Sequence, residues 1–327
     1  MKFIGRRLAT YAFAAWIAIT VNFFIPRLIP GNAAEAMLAK FPNLQPAALK
    51  AIEIEFGIGH QGSLFHQYTS YIVNIFHGNL GVSTNFYPAT VTSVLKQTLP
   101  WTLILVGTAT VISFALGTVL GILAAWRRGG KLDQLLPALT FLQAVPYFFL
   151  ALIAVEVFAV HWHVFPIGQG FSLGYTPGWN WGFIQSAIYH SILPAITLIV
   201  TSMAGWMLQM RNVMITTIGE DYVLAAQAKG LSSRRVVWTY AARNAILPNI
   251  AGFAISLGFV VAGALVMEFV FSYPGVGYTL YNAVTSDDYP LMQGIFLVIS
   301  MTVLVANLLA DVVYLIADPR TRRGSES

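Results

Sequence analysis

Six stretches of this chain are long and apolar enough to cross a bilayer, which leaves it few ways to fold. They are Leu8–Ile25, which is eighteen residues without a charge, and then about Leu99–Trp126, Leu135–Val160, Ile192–Met210, Ile250–Phe271 and Leu291–Ile316. A hydrocarbon core ~30 Å thick needs ~20 apolar residues of helix. Composition closes off the soluble alternative. Only 9% of the 327 residues are charged and 57% are hydrophobic, against about 25% charged in a soluble domain. Too little charge is available to cover a water-facing surface. No cysteine is present, so disulfides, thiolate catalysis and Cys-based metal sites are excluded. The net charge of +5 is clustered along the chain and gives no sign of nucleic-acid binding. The expected fold is all-α and polytopic, a multi-pass protein of the cell membrane with the lipid bilayer as solvent.

Residues 1–26 read as a short basic tail and an uncleaved first spanning helix ending near Pro26, because the apolar run is longer than a signal-peptide core. Pro137, Pro146 and Pro194 lie in or beside spans, where neighbouring helices can satisfy the carbonyls that proline frees. Residues 27–98 are mixed and polar, too long for a loop without structure. Pro46 and Gly57 bracket one amphipathic helix with Leu49, Ile52 and Phe56 at helical spacing. A second runs from about Leu64 to His77, with Tyr68, Tyr71, Ile72 and Ile75 on one side and Gly78 as its stop. Residues 99–327 form the membrane core.

Fourteen of the eighteen Lys and Arg residues fall in the tails and in alternate connections. These positions are Lys2, Arg6 and Arg7, then Arg127, Arg128 and Lys131, then 211–243, then 320–323. The positive-inside rule therefore predicts six helices with both termini in the cytoplasm, and makes 27–98 an extracytoplasmic helical region. The outer connection His161–Ser191 carries no Lys or Arg but eight aromatic side chains, among them Trp162, Trp179 and Trp181. Such rings form belts at membrane interfaces, and they also suit contact with a docked receptor or a substrate that stacks on rings.

One segment breaks the apolar pattern. Residues 219–250 hold Glu220, Asp221, Lys229, Arg234, Arg235 and Arg243 in two helix-sized runs on the expected cytoplasmic side. Glu220 and Asp221 suit the positive end of a helix dipole. Gly230 is placed as a left-handed C′ residue with Leu231 following in a Schellman stop, and Ser232 as the cap of a second helix running to about Asn244. Pro248 marks the start of the next span. Ala225, Ala226 and Ala228 give the first helix a low profile suited to a groove on another protein.

This segment resembles the cytoplasmic loop of permease subunits of ATP-binding-cassette importers, specifically the dipeptide/oligopeptide branch. The likeness rests on Asp221-Tyr222-Val223, Ala225, Ala228-Lys229-Gly230-Leu231, Arg243-Asn244-Ala245 and Leu247-Pro248. Further matches follow in family order across nearly the whole chain. They are Gly78–Ser83, Leu99–Leu103, Glu268–Gly277, Asp288-Tyr289-Pro290, Asn307, Asp311, Tyr314 and Asp318-Pro319-Arg320. Two departures stand out: Leu224 occupies the position of the general family's glutamate, and the Gly230-to-Leu247 interval is longer.

The resemblance implies a transport subunit and not an enzyme, forming half of a translocation pathway for a short oligopeptide. It implies a second homologous permease subunit, two separate ATPase subunits that carry the ATP and Mg, and an extracytoplasmic substrate-binding protein. The residues implied in ATPase coupling are Glu220, Asp221, Tyr222, Ala225, Ala226, Ala228, Lys229, Gly230, Leu231, Arg243, Asn244 and Pro248. No GxxxxGK[ST] phosphate loop occurs in the chain, in keeping with an engine on other subunits.

Cargo stays open between a short oligopeptide and a short oligosaccharide. A proton-coupled secondary transporter is the competing class, because Glu156, Glu268 and Asp311 lie in or near spans. An acid at the centre of a span costs about 2.5–3.5 kcal/mol on insertion scales, so each should face protein or water. Glu268 and Asp311 read as inter-helix pairs, and Glu156 as either a residue of the substrate path or an interfacial acid. His161 and His163 have no third ligand in sight and decorate an interface instead of a metal site. No arrangement of serine, histidine and acid suggests catalysis.

Overall fold

Long apolar runs fold here as long helices, and the breaks between them fall where proline or glycine interrupts the backbone pattern. The computed structural model describes residues 2–28, 63–261 and 265–317. In chain order the helices are α1 (Lys2–Leu28), α2 (Leu64–Phe76), α3 (Val91–Trp126), α4 (Lys131–Gln134), α5 (Leu136–Ala144) and α6 (Tyr147–Ala154). Helix α6 continues into a π-helical segment, Val155–His161. Then come α7 (Trp181–Ile218), α8 (Asp221–Ala228) and α9 (Ser233–Arg235), the last leading through a π segment, Val236–Ala241, into α10 (Ala242–Gly258). Helices α11 (Leu265–Val270), α12 (Val276–Thr285) and α13 (Tyr289–Ala317) follow. Among the described residues the only β pairing is an isolated bridge between Val82 and Thr90.

The chain divides into two compact units, one of Met1–Thr102 with Pro274–Val305, the other of Leu103–Tyr273 with Ala306–Ser327. In the first, α2 lies on α1 through the side the sequence singled out. The Tyr68 hydroxyl meets Thr20 Oγ1 at 2.6 Å, and Asn22 Nδ2 donates to the Tyr71 hydroxyl at 3.0 Å. Asn22 also donates to the Gln293 carbonyl at 2.8 Å, fastening α1 to α13. Asp288, fully buried, caps α13 by accepting from Leu291 N at 3.1 Å. It also accepts from Asn85 N at 2.9 Å and from the Ser83 hydroxyl. Three donors replace the water this carboxylate loses, which is what makes a buried acid tolerable. Two motifs far apart in the chain, Gly78–Ser83 and Asp288–Pro290, are thus one structural joint.

In the second unit, α3 and α7 approach closely because α3 presents Gly117 and Gly121. A Cβ on Gly121 would lie 2.5 Å from the Met207 carbonyl oxygen, and one on Gly117 would lie 2.6 Å from Trp206 Cβ. Residues four apart share a helix face, and small residues at that spacing let membrane helices pack backbone to backbone. Phe114 stacks on Phe253 at 4.3 Å and sits edge-on to Trp206, so aromatic rings fill the space beyond the glycines.

The expected span Leu135–Val160 is not straight. Its halves, Lys131–Ala144 and Tyr147–His161, meet at 94°. Val145 precedes a proline and is therefore pushed to the extended region, with ψ 125°. Four helices are long and apolar enough to cross a membrane among the described residues, and this bent pair makes a fifth if taken as one span. The remaining expected span, Ile250–Phe271, falls on α10 and the short α11, with residues 262–264 outside the described part. The amphipathic helix expected between Pro46 and Gly57 and the tail motif from Asp318 also lie outside the described residues.

The aromatic connection His161–Ser191 is tied down by its own hydrogen bonds. His190 is buried, with Nδ1 2.9 Å from the Gly168 carbonyl and Nε2 3.0 Å from Ser172 Oγ. Tyr189 donates to the Val164 carbonyl, and Gln169 N donates to Phe271 O at 2.9 Å. Trp162, Leu173, Trp179 and Trp181 remain exposed on it.

Candidate functional site

The polar segment forms a helix-turn-helix whose first turn is set by local chemistry. Glu220 is the N-cap of α8, in extended conformation, and Asp221 is its first helical residue. Lys229 is the C-cap and Gly230 follows at φ +73°. Gly230 N donates to Gln227 O at 2.9 Å and Leu231 N to Ala226 O at 3.4 Å, the paired bonds of a Schellman stop. Nothing lies within 4 Å of where a Gly230 Cβ would sit, so glycine is required by the backbone angle and not by crowding.

The second helix differs from its expected extent. Ser232 is the N-cap of α9 but makes no side-chain capping bond. The helix does not end near Asn244, since α9, the π segment and α10 run on without a break, with Pro248 inside α10. Proline deletes one N–H and displaces a carbonyl, and a helix packed among neighbours tolerates this.

Packing separates the sequence-selected residues into two groups. Val223 and Ala226, at 0% and 3% exposure, turn inward with Val236, Val237, Ala241 and Ala245. They pack against Ile122 and Ala125 at the end of α3 and Met210 and Met214 near the end of α7. Leu231 closes the turn against the same cluster. Tyr222, Leu224, Ala225, Ala228, Lys229 and Gly230 face outward, as do Arg243, Asn244, Leu247 and Pro248 farther along. Ala226 therefore belongs to the internal seam, while Ala225 and Ala228 supply the low outer profile. A depression of about 250 Å³ lies beside α8, lined by Ala125, Trp126, Arg128, Ile215, Ile218 and Gln227.

An ion pair that sequence reading missed braces the same end of the unit. Arg211 Nε donates to Asp133 Oδ1 at 2.6 Å, and Gly129 N donates to Asp133 Oδ2 at 2.9 Å. The Arg211 bond, with help from Gly129, holds the Asp133 carboxyl below the usual carboxylate range. Nothing local could have disclosed it, as the partners are 78 residues apart.

Glu156 lies exposed in the π segment after α6, away from this surface. Glu268 is fully buried in α11, and Asp311 is half-buried in α13. No group of three His, Asp or Glu side chains able to hold a metal occurs among the described residues.

Residues 117–323 match the family model of the binding-protein-dependent transport system inner membrane component. The chain is 31% identical to the di/tripeptide transport system permease protein DppB of Pseudomonas aeruginosa (strain UCBPP-PA14), over 98% of this chain and 99% of that protein. It is 31% identical to the dipeptide transport system permease protein DppB of Escherichia coli (strain K12), with the same two coverages. It is 30% identical to the oligopeptide transport system permease protein AppB of Bacillus subtilis (strain 168), over 93% of this chain and 94% of that protein.

Proposed function

The chain belongs to the family of binding-protein-dependent transport system inner membrane components, and we propose that it carries short peptides inward as one half of an ATP-driven pore. As a member it is a multi-pass inner-membrane transport subunit that works with ATPase and substrate-binding partners. On our reading the full assembly has a second homologous permease and two ATPases, with ATP and Mg bound on the ATPases alone. Cargo is assigned as short oligopeptide because the similar proteins are named for dipeptides, di/tripeptides and oligopeptides.

The observation that carries the mechanism is the inner seam of the polar segment. Helix α8 presents a thin outer face at Ala225 and Ala228, while Val223 and Ala226 interlock with the ends of α3 and α7. Close-packed interiors transmit displacement instead of absorbing it. A push on the outer face by an ATPase would therefore move two long helices. The surface assigned to docking is Glu220, Asp221, Tyr222, Ala225, Ala228, Lys229 and Gly230, with Arg243, Asn244 and Pro248 on the second helix. Ala226 and Leu231 serve as its anchors. Leu224, outward-facing, offers an apolar contact where the general family has an acid.

Reconstitution tests this directly. With its partners in proteoliposomes, the complex should import a labelled dipeptide only with ATP, and a lysine substitution in the partner ATPase's phosphate loop should abolish import. ATP-independent uptake would sink the proposal. Uptake of an oligosaccharide in place of peptides would keep the coupling scheme and replace the cargo.

A further inference from the structure

Four helices bring hydroxyl groups to one place. A cavity of about 230 Å³ opens among α3, α6, α7 and α10, and its polar lining is Thr110, Tyr147, Thr201, Ser202 and Ser256. No acidic, basic or histidine side chain lines it. The break at Pro146 is what places Tyr147 there, at the first turn of α6.

Three of these hydroxyls commit their proton to their own helix. Thr110 Oγ1 donates to Val106 O at 2.7 Å, Thr201 Oγ1 to Thr197 O at 2.9 Å and Ser256 Oγ to Phe253 O at 2.8 Å. A hydroxyl has one donor and two acceptor sites, so what these oxygens turn to the cavity is acceptor only. The hydroxyls of Tyr147 and Ser202 make no hydrogen bond among the described residues, and each can accept as well. The Tyr147 ring adds a face that attracts cations. Uncharged oxygens set among apolar helices are unfavourable when their lone pairs lack donors. They are matched by a group that has donors and no acceptor.

We propose that this cavity is a transient subsite for the primary ammonium group of a peptide in transit, above all its amino terminus. The assignment rests on the peptide reading above. An ammonium brings three donors and no acceptor. Neutral oxygens hold it without the tight grip of an ion pair, so that it can leave. The volume falls short of the ~300–1,000 Å³ that encloses a whole drug-sized ligand, and so fits one end of a peptide with its water. Glu156, exposed and outside the lining, plays no part in it.

The chain has no cysteine, so Ser202→Cys places a single thiol on the cavity wall. In the assembled transporter this thiol is labelled with aminoethyl or sulfonatoethyl methanethiosulfonate and followed by mass spectrometry of this chain. After correction for the two reagents' rates with free cysteine, the cationic one is expected to react about tenfold faster, the scale of hydrogen bonds to a charged group. In a Tyr147→Phe/Thr201→Val/Ser256→Ala background that preference should nearly vanish. Tyr147→Phe alone, a milder change, should cut it to about threefold. A peptide with a free amino terminus should slow labelling, and its N-acetyl form should not. Equal corrected rates, or a preference untouched by Tyr147→Phe and by the triple change, would overturn the proposal. Import by the unsubstituted complex separates the two readings. Peptide import without charge preference removes the cavity assignment alone, whereas no peptide import removes both.

Discussion

The connection from His161 to Asn180 and the segment from Glu220 to Pro248 both join long helices, and they are made of opposite materials. The first contains no Asp, Glu, Lys or Arg and leaves Trp162, Leu173 and Trp179 in the open. The second exposes Glu220, Asp221, Lys229, Arg234, Arg235 and Arg243 and hides a seam of valine and alanine. Indole rings with a polar edge and no charged neighbours suit the water–lipid boundary. A charged rim around small side chains, backed by tight packing, suits a protein that must be gripped and moved. The first is held by hydrogen bonds of its own backbone and side chains and leaves its indole rings exposed, whereas the second is held by an apolar seam and leaves its charges exposed.

The largest test of that contrast removes the inner anchor's foundation. Gly121→Val would drive a side chain into the Met207 carbonyl at the α3–α7 contact, and overpacking of this kind costs about 1–3 kcal/mol or more. The expected result is a clear fall in melting temperature of the detergent-solubilised chain. Unchanged melting would mean that α3 and α7 separate freely and transmit nothing.

Neighbouring alanines then distinguish the two faces of α8. Ala226→Leu, at a buried site, should destabilise by about 1–3 kcal/mol. Ala225→Leu, on the outer face, should leave melting within ~0.5 kcal/mol yet reduce co-purification of the ATPase. Equal effects of the two on melting would refute the inside–outside assignment.

Gly230→Val should cost about 1–2 kcal/mol, since a β-branched residue is strained at a left-handed angle, and Gly230→Asn should cost less. The readout is ATPase activity of the assembled complex, which should fall in that order while membrane insertion persists. The smallest effect belongs to the aromatic connection. Trp179→Ser should leave stability within ~0.5 kcal/mol but lower the quenching of tryptophan fluorescence by lipids brominated near the headgroup. Undiminished quenching would place that ring away from the lipid.

Much of this was legible along the chain because it depends on short-range chemistry. The stop at Gly230 follows from a helix former, a glycine and an apolar residue in succession, and α2 ended where Gly78 said it would. The helix through Pro248 was not legible. Proline marks a boundary only when nothing nearby can satisfy the carbonyl it releases, and that depends on neighbours elsewhere in the chain. Three alanines within four residues likewise carry no sign of which one faces inward. Ile122, Met210 and Met214 decide that, and they lie on two other helices.

By itself, then, the sequence determined that this chain lives in a membrane and where its polar segment interrupts the spans. Hydropathy adds up residue by residue and needs no knowledge of neighbours. Only the tertiary structure decided which face of α8 is anchored, that Asp133 meets Arg211, and that hydroxyls from four helices share a cavity. Each of those facts concerns the direction of a side chain relative to a distant helix. Direction is set by close packing, such as the glycine contact between α3 and α7, and no local pattern contains it.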